Sequence, residues 1–578
     1  MQRKSADSKN YGKQFFSGVA VLAISTFIVK IIGVLYKIPM MAYLGAEGMG
    51  YFNSAYEIYA LFFVISTAGI PVAISILVAE NKTQGRFNNI KRIYQVSLII
   101  LGLLGLIGTL LMAIFYNNFA KLINNDRAAF CILAIAPTLL MICISSAIRG
   151  YFQGNQIMFP TAFSQVIEAL GKLFLGLGLA IIALKKGYNI EQAAAFAVLG
   201  LTIGVAISML FLLIYKSFHN INSENITPIN TVECKGAIVN KLLSIAIPIT
   251  LSSTILNLSK IIDMTMILRR LGDIGYTQEQ ANSVYGSYST MAVSLFNLPS
   301  TLISAIALPL VPLLVSAIEE KNILKEKSVI SSSIKMTSLI AFPAGMGMAV
   351  FSKQILTLLF SSQTEEIEYT APLLSLLGIS VFLSSMITIT NSILQAYKLV
   401  KKPIISMVVG VLVKVILAFI LIGIPKVNIY GAPISTFVSS LVIVSFNFYY
   451  IAKNNGNMNT VYKLFVKPFI ATIISIGIGV AIYLTLSQIV LSKLLVLPII
   501  ILVAIVYIVL VLKLRTVENE EILMLPYGEK INKILMSTSF IFNQIIGKYK
   551  VYSFLTDYWL SKHHILPGCI VLLRFLYH

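Results

Sequence analysis

From Tyr369 to Val517 the chain contains no Asp and no Glu, and charged residues of either sign make up only 12% of its 578 residues. Such scarcity excludes an ordinary soluble domain, in which about a quarter of the residues are charged. The four histidines, His219, His563, His564 and His578, all fall in loops or the tail, so no histidine can act as a base inside an apolar segment. Four cysteines lie scattered at 131, 143, 234 and 569 without a CxxC or Cys/His spacing, which leaves neither a zinc site nor a disulfide framework. No Walker A pattern occurs, so the chain carries no nucleotide-hydrolysing motor of its own. No cofactor is implied.

What is present is apolar. Hydrophobic residues make up 57% of the sequence and the mean hydropathy is +0.87, the composition of an all-α polytopic membrane protein, since backbone groups in lipid must bond within their own segment. Apolar segments fall at about 15–43, 51–79, 93–116, 128–148, 158–184, 192–215, 242–268, 284–317, 331–359, 370–394, 404–424, 431–452, 464–487 and 494–513, which predicts about 14 transmembrane helices. Residues 1–14 read as a polar cytoplasmic N-terminus ahead of a retained first span rather than a cleaved signal. Alternate loops are basic, with Lys82, Arg86, Lys91 and Arg92, then Lys321, Lys325, Lys327 and Lys335, then Lys398, Lys401 and Lys402, then Lys453, Lys463 and Lys467. The positive-inside rule then predicts both termini in the cytoplasm. It also accounts for the net charge of +21 without nucleic acid.

The chain repeats itself. Ile70-Pro-Val-Ala-Ile-Ser75 returns as Val311-Pro-Leu-Leu-Val-Ser316, and Gln153, Pro160 and Lys172 return in order as Gln395, Pro403 and Lys414. Two pseudo-symmetric six-helix lobes follow, expected at 15–215 and 242–452 around a cytoplasmic loop, 216–241. Two extra helices (464–513) and a cytoplasmic tail (514–578) complete the chain; the tail's apolar end, Ile565 to Tyr577, is too short to span. With an even number of spans, both lobes insert the same way up, and substrate is expected between them near the midplane.

The residues that carry chemistry are charges in the wrong solvent. Lys414 sits midway along an apolar run, where a charge costs about 2.5–3.5 kcal/mol even on lenient insertion scales. It must face a wet cavity, pair with a distant helix, or await an anion; the first and third together describe a transporter. Lys30 and Lys37, seven residues apart on the first span, share nearly one helix face without an acid between Asp7 and Glu47. Glu168 and Lys172 stand four apart, in the orientation of an ion pair, and Lys260 and Asp263 stand three apart. Arg269 follows at the end of that span. Glu57 lies among Tyr51, Tyr56 and Tyr59, where one wet glutamate in an aromatic belt explains it equally well. Gly69-Ile70-Pro71, Pro309 to Pro312 and Pro343 mark expected hinges or kinks.

Three stretches resemble one family: Lys30-Ile-Ile-Gly-Val-Leu-Tyr-Lys-Ile-Pro39 with Leu44-Gly-Ala-Glu-Gly-Met-Gly-Tyr51, then Ser66-Thr-Ala-Gly-Ile-Pro-Val-Ala-Ile-Ser75, then Arg149-Gly-Tyr-Phe-Gln-Gly-Asn-Gln-Ile-Met-Phe-Pro-Thr-Ala162. Together they are similar to the stage V sporulation protein B and polysaccharide-exporter branch of the multidrug/oligosaccharidyl-lipid/polysaccharide flippase superfamily. The resemblance implies a monomeric flippase in a bacterial cell membrane, working among membrane lipids on a polyprenyl-pyrophosphate-linked glycan, foremost lipid II. Basic cavity residues would hold the pyrophosphate, a role falling on Lys30, Lys172, Lys260 and Lys414, with Lys37, Arg149, Arg269, Glu168 and Asp263 in the same set. The alternatives are a flippase for another lipid-linked glycan and a cation-coupled drug exporter; a membrane enzyme is the rival from outside transport.

Overall fold

The computed structural model describes residues 2–219, 233–455, 461–488, 493–514 and 516. Most of the expected tail, including its apolar end, and residues 220–232 of the inter-lobe loop lie outside the described residues. Every described element is helical. The long helices are α1 (2–44), α2 (46–83), α3 (Phe87–Ile114), α4 (Ala129–Gly154), α5 (159–185), α6 (Ile190–Phe218) and α7 (Lys235–Asp273). They continue with α8 (278–319), α9 (Ile323–Val350), α10 (Thr364–Ala396), α11 (Lys401–Ile422), α12 (Gly431–Asn455), α13 (Val461–Ser487) and α14 (Val496–Lys513). Among the described residues twelve helices are long and apolar enough to cross a membrane; one of these, Ile24–Thr83, runs from within α1 through α2, and in α8 the apolar stretch Leu310–Glu319 is shorter. The protein is a multi-pass membrane protein.

The helices break where the chain allows it, and only partly where Pro suggested. Gly45, at φ 65° and ψ −176°, separates α1 from α2, a backbone state that glycine alone adopts cheaply. Within α2 the helix stops at Ala68-Gly69, and Pro71 opens the next segment, Ile70–Thr83, where a missing N–H costs nothing. By contrast α8 runs on past Pro309 and Pro312, and α9 past Pro343. Two interruptions have no sequence signal: π turns at Lys172–Gly176 in α5 and Tyr288–Ala292 in α8.

The two halves share one packing scheme. In the first, α4 is central and packs on α2, α3 and α6, while α5 packs on α6 and α1. In the second, α10 packs on α8, α9 and α12, while α11 packs on α12 and α7. Short helices Tyr116–Leu122 and Ser352–Leu359 follow α3 and α9 in equivalent places. Polar glue recurs as well: Thr138 and Thr202 join α4 to α6 at 2.7 Å, and Asn447 on α12 donates to Thr390 and Asn391 on α10. Inside lipid such bonds and close small-residue contacts replace hydrophobic driving force. Gly171 and Gly204 bring α5 and α6 into backbone contact; a Cβ on Gly171 would lie 2.5 Å from the Gly204 Cα. Beyond the lobes, α13 packs on α9.

The lobes meet most tightly at the Gly45 end. Asn282 of α8 donates to the Glu47 carbonyl at 2.7 Å and accepts from Asn125 at 2.8 Å, while Asn125 also donates to Ser54. Arg127 bridges Glu279 at 2.6 Å and Glu47 at 3.8 Å. A Cβ on Gly286 would lie 1.9 Å from the Ala46 carbonyl oxygen, so α2 and α8 touch backbone to backbone. Nearer the opposite end α2 meets α7, where a Cβ on Gly69 would fall 2.2 Å from the Ala246 carbonyl oxygen.

Candidate functional site

Between these contacts lies a cavity of about 570 Å³, walled by α1, α2, α4, α5, α7 and α8, with Leu201 of α6. It reaches from Asn53 and Ser289 near the middle of the lobes to Thr26 and Thr301 toward the end that bears the N-terminus. Five cationic side chains line it, Lys30, Lys37, Arg149, Lys172 and Lys260, against two carboxylates, Glu57 and Glu168. Six of the nine residues singled out from the sequence therefore converge on one chamber.

Their pairing differs from what spacing suggested. Glu168 does not pair with Lys172, four residues on. It takes a charge-assisted bond from Arg149 at 3.1 Å, and the same guanidinium donates to Ser164 at 3.0 Å and Ser208 at 3.3 Å. A planar fork satisfies three acceptors on α5 and α6 at once, which a lysine's point charge cannot do. Lys172, at the start of the π turn, instead stands among aromatic faces: its ammonium is 4.8 Å from the ring centre of Tyr56, 5.1 Å from Tyr36 and 5.5 Å from Phe52. Ring quadrupoles stabilise a cation at such distances, so this amine is held without a carboxylate.

The pair expected between Lys260 and Asp263 is also replaced. Asp263 forms its ion pair with Lys414, reaching from α7 to α11. Of the three fates open to Lys414, the structure shows pairing with a distant helix: Lys414 and Asp263 lie within the second lobe and do not line the cavity. Sequence proximity misleads here because residues three apart on one helix compete with any group that a neighbouring helix brings closer. Lys260 is left with no hydrogen bond or ion pair among the described residues, and Lys30 likewise. Lys37 donates to Ser294 at 2.8 Å. Arg269 is exposed and away from the chamber. Its neighbour Arg270 packs on the Phe419 ring at 4.3 Å and bonds Asp273 at 2.6 Å.

Sequence reading passed over Glu57 as a belt residue and Asn53 altogether. Asn53 donates to Ser289 at 2.9 Å and Thr290 at 2.7 Å, tying α2 to the π turn of α8. The available signal was the four-residue spacing of Asn53 and Glu57, which places both on one helix face. Among the described residues no three His, Cys, Asp or Glu side chains gather into a metal-binding group. The chamber thus holds more cationic than anionic side chains, two of its amines, Lys30 and Lys260, have no hydrogen bond or ion pair among the described residues, and the contacts of Asn282, Glu47 and Gly286 lie at its Gly45 end.

Residues 15–318 match the model of the family described as polysaccharide biosynthesis protein, and residues 248–420 match the one described as MatE. Stage V sporulation protein B of Bacillus subtilis (strain 168) is 28% identical over 444 residues, covering 75% of this chain and 82% of that protein. Lipid II flippase MurJ of the same organism is 25% identical over 480 residues, 80% of this chain and 87% of that one. A solved structure of lipid II flippase MurJ in an inward closed conformation superposes with a TM-score of 0.65 at 16% identity, over 85% of this chain and 98% of that chain. An inward-facing multidrug resistance MATE family transporter of the MOP superfamily superposes with a TM-score of 0.61 at 16% identity, over 77% and 99%. Both share this fold.

Proposed function

Because the chain belongs to the polysaccharide biosynthesis protein family and is a membrane flippase or transporter of the MOP superfamily, we propose that it carries a lipid-linked cell-wall precursor from the inner to the outer leaflet. The cargo in this reading is an undecaprenyl-pyrophosphate-linked peptidoglycan precursor, lipid II, and the membrane is that of a bacterial cell, with both termini cytoplasmic. One observation supports it above the rest: five cationic side chains outnumber two carboxylates in the inter-lobe cavity, and two of the amines have no partner among the described residues. A pyrophosphate diester carries two fixed negative charges. Lys30 and Lys260 are the groups free to meet them, Lys37 can turn to them from its bond to Ser294, and Lys172 stands in reserve on its aromatic seat. Arg149 already serves Glu168, and its part is to shape the wall.

Transport follows by alternating access. The headgroup enters from the cytoplasmic side while the polyprenyl tail stays in lipid. Docked phosphate relieves the repulsion among the amines, which gives the two conformations the differential interaction a shift requires. The contacts of Asn282, Glu47 and Gly286 then part, and the chamber opens outward. A cation-coupled drug exporter would want acidic residues in the chamber to bind its coupling ion, and the charge balance here is the reverse. The test is rescue of a strain depleted of its lipid II flippase, with outer-leaflet precursor measured directly. Restored precursor supports the reading; failure there, with rescue of a teichoic-acid export defect, assigns the chain to another lipid-linked glycan.

A further inference from the structure

Glu57 is the one cavity carboxylate that the fold leaves unmatched. Arg149 holds Glu168, whereas Glu57 makes no hydrogen bond or ion pair among the described residues. It faces the chamber from α2, one turn beyond Asn53, whose bonds to Ser289 and Thr290 fix that stretch of helix. The charged groups within its electrostatic reach are Lys37 from α1 and Lys260 and Asp263 from α7. Tyr285 of α8 and Tyr56 also feel it, and Lys30, Glu168 and Lys172 line the same chamber. In the empty cavity an ionised Glu57 would be the local counter-charge for Lys37 and Lys260, with a hydrogen bond to neither.

A diphosphate that docks on those two amines takes over that task and sets two negative charges beside the carboxylate. Like charges at such range in a confined, poorly screened space disfavour ionisation. We propose that Glu57 takes up one proton from solvent as the diphosphate docks and returns it when the cargo leaves. No covalent bond changes; the proton moves between water and a Glu57 carboxylate oxygen. As a neutral carboxyl, Glu57 donates its O–H to a phosphate oxygen, where a carboxylate could only repel it. Cargo affinity is therefore linked to pH and rises as pH falls through the range in which the free carboxylate is ionised.

This inference rests on the reading of the chamber as a diphosphate site, and one experiment separates the two. The purified full-length protein is titrated calorimetrically with a short-prenyl diphosphodiester of N-acetylglucosamine, whose phosphates hold constant charge between about pH 5 and pH 9. Buffers of different ionisation heat report the protons bound. Wild type should take up close to one proton per ligand, with affinity falling toward high pH. Glu57→Gln should bind with no uptake and a flat pH profile, and Glu57→Asp should restore both. Binding by wild type without uptake overturns the inference and spares the chamber; so does uptake that persists in Glu57→Gln but vanishes in Lys37→Gln, which would place the proton on lysine. Absence of any binding by wild type overturns the diphosphate site and this inference with it.

Discussion

Lys30, without a hydrogen bond or ion pair among the described residues, and Lys37, held only by Ser294, belong to cargo recognition rather than stability in this reading. A bond from a charged donor is worth about 1.5–3 kcal/mol, and about 1.4 kcal/mol is tenfold in affinity. Lys30→Ala and Lys37→Ala should each lower flipping by roughly 10- to 100-fold while the protein still inserts, as read by outer-leaflet precursor against membrane-fraction abundance. Lys414 belongs to the other category. Its pairing with Asp263 is intramolecular and half-buried; removing one member of a fully buried pair costs about 3–5 kcal/mol, which is the upper bound here, whereas replacing both with apolar residues is often neutral. Lys414→Met alone should therefore reduce thermal stability and abundance, and Lys414→Met with Asp263→Leu should recover most of both. Equal stability of the single and double variants would contradict that assignment. The sequence located these charges but mispaired them: Glu168 and Asp263 each have a lysine at helical spacing, yet Arg149 and Lys414 arrive from other helices at better geometry. Spacing along one helix is visible in a sequence; which neighbour a lobe brings alongside is not.

At the scale of elements the hydropathy pattern carried almost everything, because a span about 20 residues long leaves little freedom in a bilayer about 30 Å thick. All fourteen expected segments correspond to helices, and the internal repeat reappears as the matched surroundings of α4 and α10. Irregularities were harder. Gly69-Pro71 does break α2, but Pro343 leaves α9 continuous, since lone prolines in membrane helices are readily absorbed by neighbouring turns. The π turns in α5 and α8 have no signature in residue type; they hold Lys172 and Ser289, both of which line the chamber. Small residues, however, matter where helices touch. A side chain at Gly200 would place a Cβ 2.4 Å from the Gly176 nitrogen, and overpacking of this kind costs about 1–3 kcal/mol. Gly200→Val should lower the melting temperature of the detergent-purified protein, while Gly178→Val, where nothing lies within 4 Å, should leave it near wild type.

For the molecule as a whole, the question is which end opens. α2 and α8 are closed at Gly286, and α2 also meets α7 at Gly69. Gly286→Val drives a side chain into the Ala46 carbonyl and should part the lobes at the Gly45 end. In a background without the native cysteines, Ser54→Cys, buried beneath Asn125, should react with a membrane-impermeant thiol reagent from outside only when Gly286→Val is present. Labelling without Gly286→Val would mean that the seal described at this end does not hold.

The most direct test of the cationic chamber is native mass spectrometry of the purified protein with an undecaprenyl-pyrophosphate-linked glycan. The account predicts one bound cargo per wild-type chain, its loss in a Lys30→Gln, Lys37→Gln, Lys260→Gln triple variant, and its retention in the Lys414→Met, Asp263→Leu pair. Undiminished binding by the triple variant would contradict it.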